Sequence, residues 1–479
     1  MDLTVIARDT DRPAGLLRIF DSTEHPADDR ALAHLERGIR GVDLAAPAVV
    51  LPDFHHKSDM EMPSSIVVAT EGSIRPLFTS ASVNCGMALI ALDVEPPGQS
   101  AIERFYRAVM KRFPHPPGWR FDLSTAEVLR AATEGAEFAV DRFGLEPESL
   151  ERIEEGGRLD LEPYGGRVRL RRELPWPSWQ AARLRFGTIG PSNHFVEVQT
   201  VDAVLDHLAA ERLGLREGQV TIQYHAGGGQ LTGQVGRLFA RRKKMSTPLR
   251  LQLLAAKPLA HLSSAHSLAQ IRERLALYFR PGTTIPGESA EGQRALLANA
   301  AAMNYGFAFR GATYGGLVAA ARAAFGVRAG RLVVDSPHNS IYEEEVQGRI
   351  AVVHRHNACR AYPAWRMRPG TAFGDVGQAV LVPGTNRTSS YICIAGEEAE
   401  RSLHSACHGA GTIVEQLERL GHSGPSPQGR TTLRFRYSGG APVPVPHLDD
   451  RGIDAAVEIL AANRLVRPVA RLRPLAVLT

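Results

Sequence analysis

What most constrains this chain is where its potential metal ligands lie. They stand in six short motifs: Ser82-Val83-Asn84-Cys85-Gly86-Met87, Ser192-Asn193-His194-Phe195-Val196-Glu197, Tyr224-His225-Ala226-Gly227, Pro337-His338-Asn339, His354-Arg355 and Cys407-His408-Gly409-Ala410-Gly411. Cysteine and histidine suit a borderline-soft divalent metal, and a further histidine in a glycine-rich loop is placed like a nucleophile. The motifs come from distant parts of the chain, so only a fold that gathers them can make a site.

With 479 residues, 44% of them hydrophobic, the chain can bury one large core or two smaller ones. The four cysteines, Cys85, Cys359, Cys393 and Cys407, lack the close pairing of a disulfide framework or a structural zinc cluster. That usage points to a reducing, cytoplasmic compartment. The Met1–Ile6 segment lacks a basic region followed by an apolar core, and no stretch approaches the roughly 18 apolar residues of a membrane span, so no membrane role is expected. A net charge of +5, with 22% charged residues in mixed order, permits a nucleic-acid or nucleotide partner without requiring one.

Apolar runs broken by Pro and Gly, such as Pro47 to Leu51 and Ile66 to Ala69, read the first ninety or so residues as strands and loops. Residues 123–155 read as helical, opening on the capping box Ser124-Thr125-Ala126-Glu127. Strand patterns return at Arg167 to Leu170, Phe195 to Val198 and Val220 to Gln223. From 234 to 325 the chain turns helical and Ala/Leu-rich around a loop at Pro281 to Gly287, and strands resume at Arg331 to Val334 and Tyr391 to Ile394. Ile413 to Leu417 is read as the last strong helix. The densest basic run, Arg241-Arg242-Lys243-Lys244, is expected to be a solvated helix face.

Each motif has a bland reading. A lone cysteine is usually a small core residue. The glycines at 227–229 could present backbone N–H groups to an anion or simply form a turn. His194 and Glu197, three apart in a strand, face opposite sides. His408 is the sharpest case, because Gly409-Ala410-Gly411 leads into a helix whose N-terminus suits a phosphate.

In order, these motifs resemble the RtcB family of GTP- and manganese-dependent RNA ligases. The likeness runs from about Leu51 to the C-terminus and includes Leu150 to Gly157, Val353-His354-Arg355, Arg360-Ala361-Tyr362-Pro363 and Arg473 to Val477. It implies an α+β fold: one large catalytic domain over 1–479 with mixed β-sheets and helical insertions at 100–160 and 235–325. It also implies that Cys85, His194, His225 and His338 bind metal, as two Mn²⁺ ions bridged by the thiolate, and that His408 takes GMP from GTP. Asn193, Glu197, Gly384, Thr385, Gly409, Ala410 and Gly411 are the implied nucleotide contacts, with Asn193 near the phosphates and Glu197 at the guanine. Asp53 and His55 match the family's P-D-x-H motif. The implied partners are GTP, RNA with 3′-phosphate (or 2′,3′-cyclic phosphate) and 5′-hydroxyl ends, and an archease-type activator.

The departures fall around the same site. Ser82 stands where the family has an aspartate, which weakens one of the two metal positions. His56-Lys57-Ser58-Asp59-Met60-Glu61 replaces a glycine-rich loop, and Gln230 replaces an arginine suited to RNA phosphate. The G-x-M-G loop reads Gly384-Thr385-Asn386-Arg387, Thr412 follows the H-G-A-G motif, and Thr479 stands in place of a lysine-glycine. Two other functions are therefore carried forward: a metal-dependent guanylyltransferase or phosphodiesterase on the same scaffold, and a non-catalytic RNA-binding relative.

Overall fold

The computed structural model describes residues 15–56, 60–116, 118–190, 193–243, 247–280 and 282–479. The Met1–Ile6 segment, Lys57, Ser58 and Asp59 of the altered loop, Ser192, Lys244 and Pro281 lie outside the described residues. The fold is α+β, built on two sheets that meet at the candidate site. The spine of the nine-stranded sheet runs Ala379–Val382, Ser390–Ala395, Val466–Leu478, Phe195–Val204, Val220–Ala226, Gly86–Leu92 and Gly330–Pro337. Thr431–Phe435 joins Val466–Leu478 in parallel and carries Val443–Pro446 as an outer partner. The five-stranded sheet runs Leu17–Ile19, Ala48–His55, Ser64–Thr70, Arg349–His356 and Asn339–Val346, with its first pair parallel.

Pairing direction explains how the motifs converge. In an antiparallel ladder the start of one strand lies beside the end of the next. Cys85 immediately precedes Gly86–Leu92, His194 precedes Phe195–Val204, His225 is the penultimate residue of Val220–Ala226, and His338 follows Gly330–Pro337. The registers pair Met87 with His225, Phe195 with His225, and Gly86 with Pro337, bringing all four to one edge. His338 is also where the chain passes from the large sheet into Asn339–Val346 of the smaller one.

The core behind that edge is a 36-residue helix, Ala290–Phe325, capped by Ser289, whose side chain accepts from Gly292 N, and ended by Gly326 at φ 71°. It is apolar on all sides and correspondingly buried. Helices Gln99–Arg112, Thr125–Glu134, Ala136–Phe143 and Gly229–Leu238 pack against it. The Ser124 capping box forms as expected, with Glu127 N donating to Ser124 Oγ at 3.2 Å and Ser124 N to Glu127 Oε2 at 2.7 Å.

Four sequence expectations are corrected. Arg167 to Leu170 is not a strand but part of helix Gly166–Glu173, which buries Leu170 and leaves Val168 86% exposed. A four-residue alternation cannot separate period 2 from period 3.6. Helix Asp29–Ile39 breaks the strand-and-loop N-terminal region, its start fixed by Asp28 accepting from Ala31 N at 2.7 Å. Arg451–Ala462 is a further helix beyond Gly411–Arg419. Arg242 of the basic run is buried, not solvated. It donates to the carbonyls of Gly236, Thr79 and Pro76 at 3.0, 2.9 and 2.8 Å, tying helix Gly229–Leu238 to the turn at Pro76–Thr79.

Candidate metal and nucleotide site

Cys85, His225 and His338 place one ligand atom each within 4.8 Å of one another, and all three are buried. Cys85 Sγ lies 3.2 Å from His225 Nε2 and 3.4 Å from His194 Nε2. His225 donates from Nδ1 to the Asn193 carbonyl at 2.9 Å, which leaves Nε2 facing the sulfur. Asn193 therefore orients a ligand through its backbone. His338 is fixed by its N–H donating to the Cys85 carbonyl at 2.9 Å, and its Nδ1 is buried without a hydrogen-bond partner.

The loop carrying Cys85 is held from behind. Asn84 adopts φ 55° and is gripped by Arg310 of the long helix, which donates to the Asn84 side-chain oxygen at 2.8 Å and to its carbonyl. Arg310 is neutralised by Asp335 at 2.7 Å. A Cβ at Gly86 would fall 2.7 Å from the Ser336 carbonyl, and one at Gly228 would fall 2.7 Å from the Val83 carbonyl. The glycines beside Cys85 and His225 are thus required by close backbone approach.

The fourth imidazole arrives from a separate two-stranded sheet. Ser405–Cys407 pairs with Ala358–Arg360 and delivers His408, whose ring centroid is 4.3 Å from that of His338 and 6.4 Å from that of His225. Arg355 supports this strand, donating to Ser405 Oγ at 2.8 Å while paired bidentately with Glu344 at 2.7 and 2.9 Å. His354 is likewise structural, accepting from Arg75 N at 2.9 Å.

Burial sets the protonation states. It pushes the Cys85 thiol up to about 12, opposed by Arg310, so the sulfur is protonated unless a cation displaces the proton. Burial lowers His194 and His408 to about 4 and takes His225 and His338 well below their ordinary value, so all four rings are neutral at pH 7. A hydrogen bond to the Asn357 backbone opposes the fall at His408. Asn357 is itself held at φ 49° by Asn339 Oδ1 at 3.0 Å and Ser64 Oγ at 2.5 Å. Neutral imidazoles converging on one thiol, two of them (His194 and His338) with a buried Nδ1 lacking a hydrogen-bond partner, are the donor set a divalent cation needs.

A cavity of about 600 Å³ opens beside the cluster. Of the expected nucleotide contacts, Asn193, Glu197, Gly384, Thr385, His408, Gly409 and Gly411 line it, while Ala410 is buried behind. His194 touches Cys85 but does not line the cavity. Burial raises Glu197 to about 8. Asp53 bears directly on the helix after His408: its Oδ1 accepts from Thr412 N at 2.7 Å and Ile413 N at 3.3 Å. Those N–H groups, expected to face a phosphate, are already capped. Asn357 and Arg310 escaped the sequence reading, since a lone Asn after a strand and an Arg inside an apolar helix carry no local signal of a role here.

A family model described as "tRNA-splicing ligase RtcB" matches residues 39–479. The chain belongs to the RtcB family. Similar RtcB proteins include the "tRNA-splicing ligase RtcB" of Thermococcus kodakarensis, 28% identical over 90% of this chain and 87% of that protein. The "RNA-splicing ligase RtcB" of Mycobacterium bovis is 30% identical over 85% of this chain and 90% of that protein. The Pyrococcus horikoshii "tRNA-splicing ligase RtcB" is 30% identical over 82% of this chain, and the match spans 44% of that longer protein. No described helix is long and apolar enough to cross a membrane.

Proposed function

We propose that this RtcB protein is a cytoplasmic RNA ligase joining 3′-phosphate (or 2′,3′-cyclic phosphate) ends to 5′-hydroxyl ends through a covalent histidine–GMP intermediate. One observation carries the reading: neutral, buried His408 lies against the Cys85, His225 and His338 cluster on the wall of the cavity lined by Glu197 and Gly384. Cys85, His225 and His338 hold the metal, with His194 as a further ligand. A divalent cation there, Mn²⁺ by family resemblance, neutralises phosphate charge.

His408 keeps one ring nitrogen on the Asn357 backbone, leaving the other lone pair to attack the α-phosphorus of GTP. The N–P bond forms as the bond to pyrophosphate breaks. Glu197 receives the guanine edge, whose N–H donors favour its carboxylate form. The GMP then passes to the RNA 3′-phosphate, and the 5′-hydroxyl displaces it. An archease-type activator belongs to the same reading.

A guanylyltransferase that stops before sealing is the second reading. Gln230 is exposed, and Arg387 is paired with Glu418 at 2.6 Å, so neither brings a free cation to the cavity for RNA phosphate. Labelled GTP with Mn²⁺ tests the first step: covalent label on wild type and none on His408→Ala is expected. An RNA with 3′-phosphate and 5′-hydroxyl ends then separates the readings, joined product supporting ligation and a capped end supporting the second.

A further inference from the structure

A basic groove lies away from the metal cluster. Its volume is about 770 Å³, and its cationic walls carry Lys111, Arg112, Arg120, Arg142 and Arg185 against a single acid, Asp122. Its floor is apolar, formed by Phe113, Phe186 and alanines of the long helix. Arg120 is paired with Asp122 at 2.6 Å and Arg142 with Glu127 at 2.9 Å, whereas Lys111, Arg112 and Arg185 form no ion pair among the described residues.

Arg185 is the most telling of these. It is held at φ 57°, a conformation unfavourable for a side-chain-bearing residue, and its Nε is buried without a hydrogen-bond partner. Its guanidinium sits 5.7 Å from the ring centre of Trp119, which is 88% exposed. Beside it Arg183 lies 4.2 Å over Phe121, which is 57% exposed. Two open aromatic faces next to unpaired cations form a surface for unstacked bases and a phosphate backbone.

The chain itself runs from the groove to the candidate site. Its wall at residues 185–188 continues to Gly190, where a Cβ would stand 2.7 Å from His194 Nδ1.

We propose that this groove binds a single-stranded segment of the RNA whose end is processed at His408, with bases stacked on Trp119 and Phe121 and phosphates on Lys111, Arg112 and Arg185. The assignment of RNA rests on the proposed function. A duplex keeps its bases stacked internally and offers nothing to the exposed rings, so the groove selects single strands.

The test uses the full chain and a short fluorescein-labelled oligouridylate ending in a 3′-hydroxyl, followed by anisotropy across a salt series. Trp119→Ala should weaken binding about ten-fold while Trp119→Phe stays near wild type. Combined Lys111→Gln, Arg112→Gln and Arg185→Gln should lower the log–log salt slope by about two. Unchanged binding in both sets, no binding by wild type, or equal affinity for a duplex of the same length overturns the groove. The probe carries no 3′-phosphate, so it reports on the groove even if His408 takes no GMP. Absent label at His408 with intact, Trp119-dependent binding overturns the ligase reading and leaves the groove standing.

Discussion

The floor and the rim of the central cavity are built differently. The floor, Cys85, His225, His338 and His408, is presented by strand ends whose backbones touch so closely that Gly86 and Gly228 admit no side chain. The rim, Gly384 to Arg387 and Gly411 to Glu418, is loop and helix start, held largely by side-chain bonds, including the Asp53 cap on Thr412 N. Thr385 N donates to Thr388 Oγ1 at 2.8 Å, Arg387 pairs with Glu418, and a Cβ at Gly411 would meet nothing within 4 Å. The RtcB motifs persist on the floor, and several departures lie on the rim. Positions hemmed in by main-chain atoms leave little room for change, whereas a rim position with open space around it, such as Gly411, can change without disturbing the ladder beneath it.

The comparison can be broken most sharply at its chemical centre. His408→Ala should abolish covalent labelling by GTP, and retained label would remove the nucleophile from the floor. Next in size is metal. After chelation, adding Mn²⁺ to about 100-fold above its Kd should stabilise wild type by roughly 2.7 kcal/mol. Cys85→Ala should lose most of that rise in Tm, and an undiminished rise would place the ion elsewhere.

Acid should loosen the five-stranded sheet that supports the floor. Burial lowers His354 to about 4 and His356 to about 3. Because their folded values lie below the unfolded one near 6.5, the unfolded chain takes up protons first, and stability falls as pH drops from about 6.5 towards 4. His354 alone should cost about 2 kcal/mol by pH 5. A flat Tm between pH 7 and 5 would contradict it.

Paired glycine substitutions then compare the two regions directly. Gly86→Ala should destabilise by about 1–3 kcal/mol through overpacking, while Gly411→Ala should stay within about 0.5 kcal/mol. Equal losses in urea melts would erase the distinction. The smallest effect is expected at the rim pair Arg387 and Glu418, half-exposed partners whose double-mutant coupling should not exceed about 1 kcal/mol.

Local chemistry made much of this legible. Period-2 runs marked Phe195–Val204 and Val220–Ala226, and the Ser124 box marked a helix start, because those signals lie within a few residues. The run Arg167 to Leu170 was too short to reveal its helix, and the basic run gave no sign that Arg242 would be buried among three carbonyls.

By itself the sequence determined which side chains could bind metal or act as nucleophile, the family likeness that orders them, and the positions where that likeness lapses. Only the tertiary structure decided that three ligand atoms share 4.8 Å, that Asn193 acts on His225 through its carbonyl, and that Asp53 already caps the helix after His408. The convergence of the ligands depends on antiparallel registers joining strands that lie far apart in the sequence. Registers are fixed by the packing of whole strands, which no single motif contains.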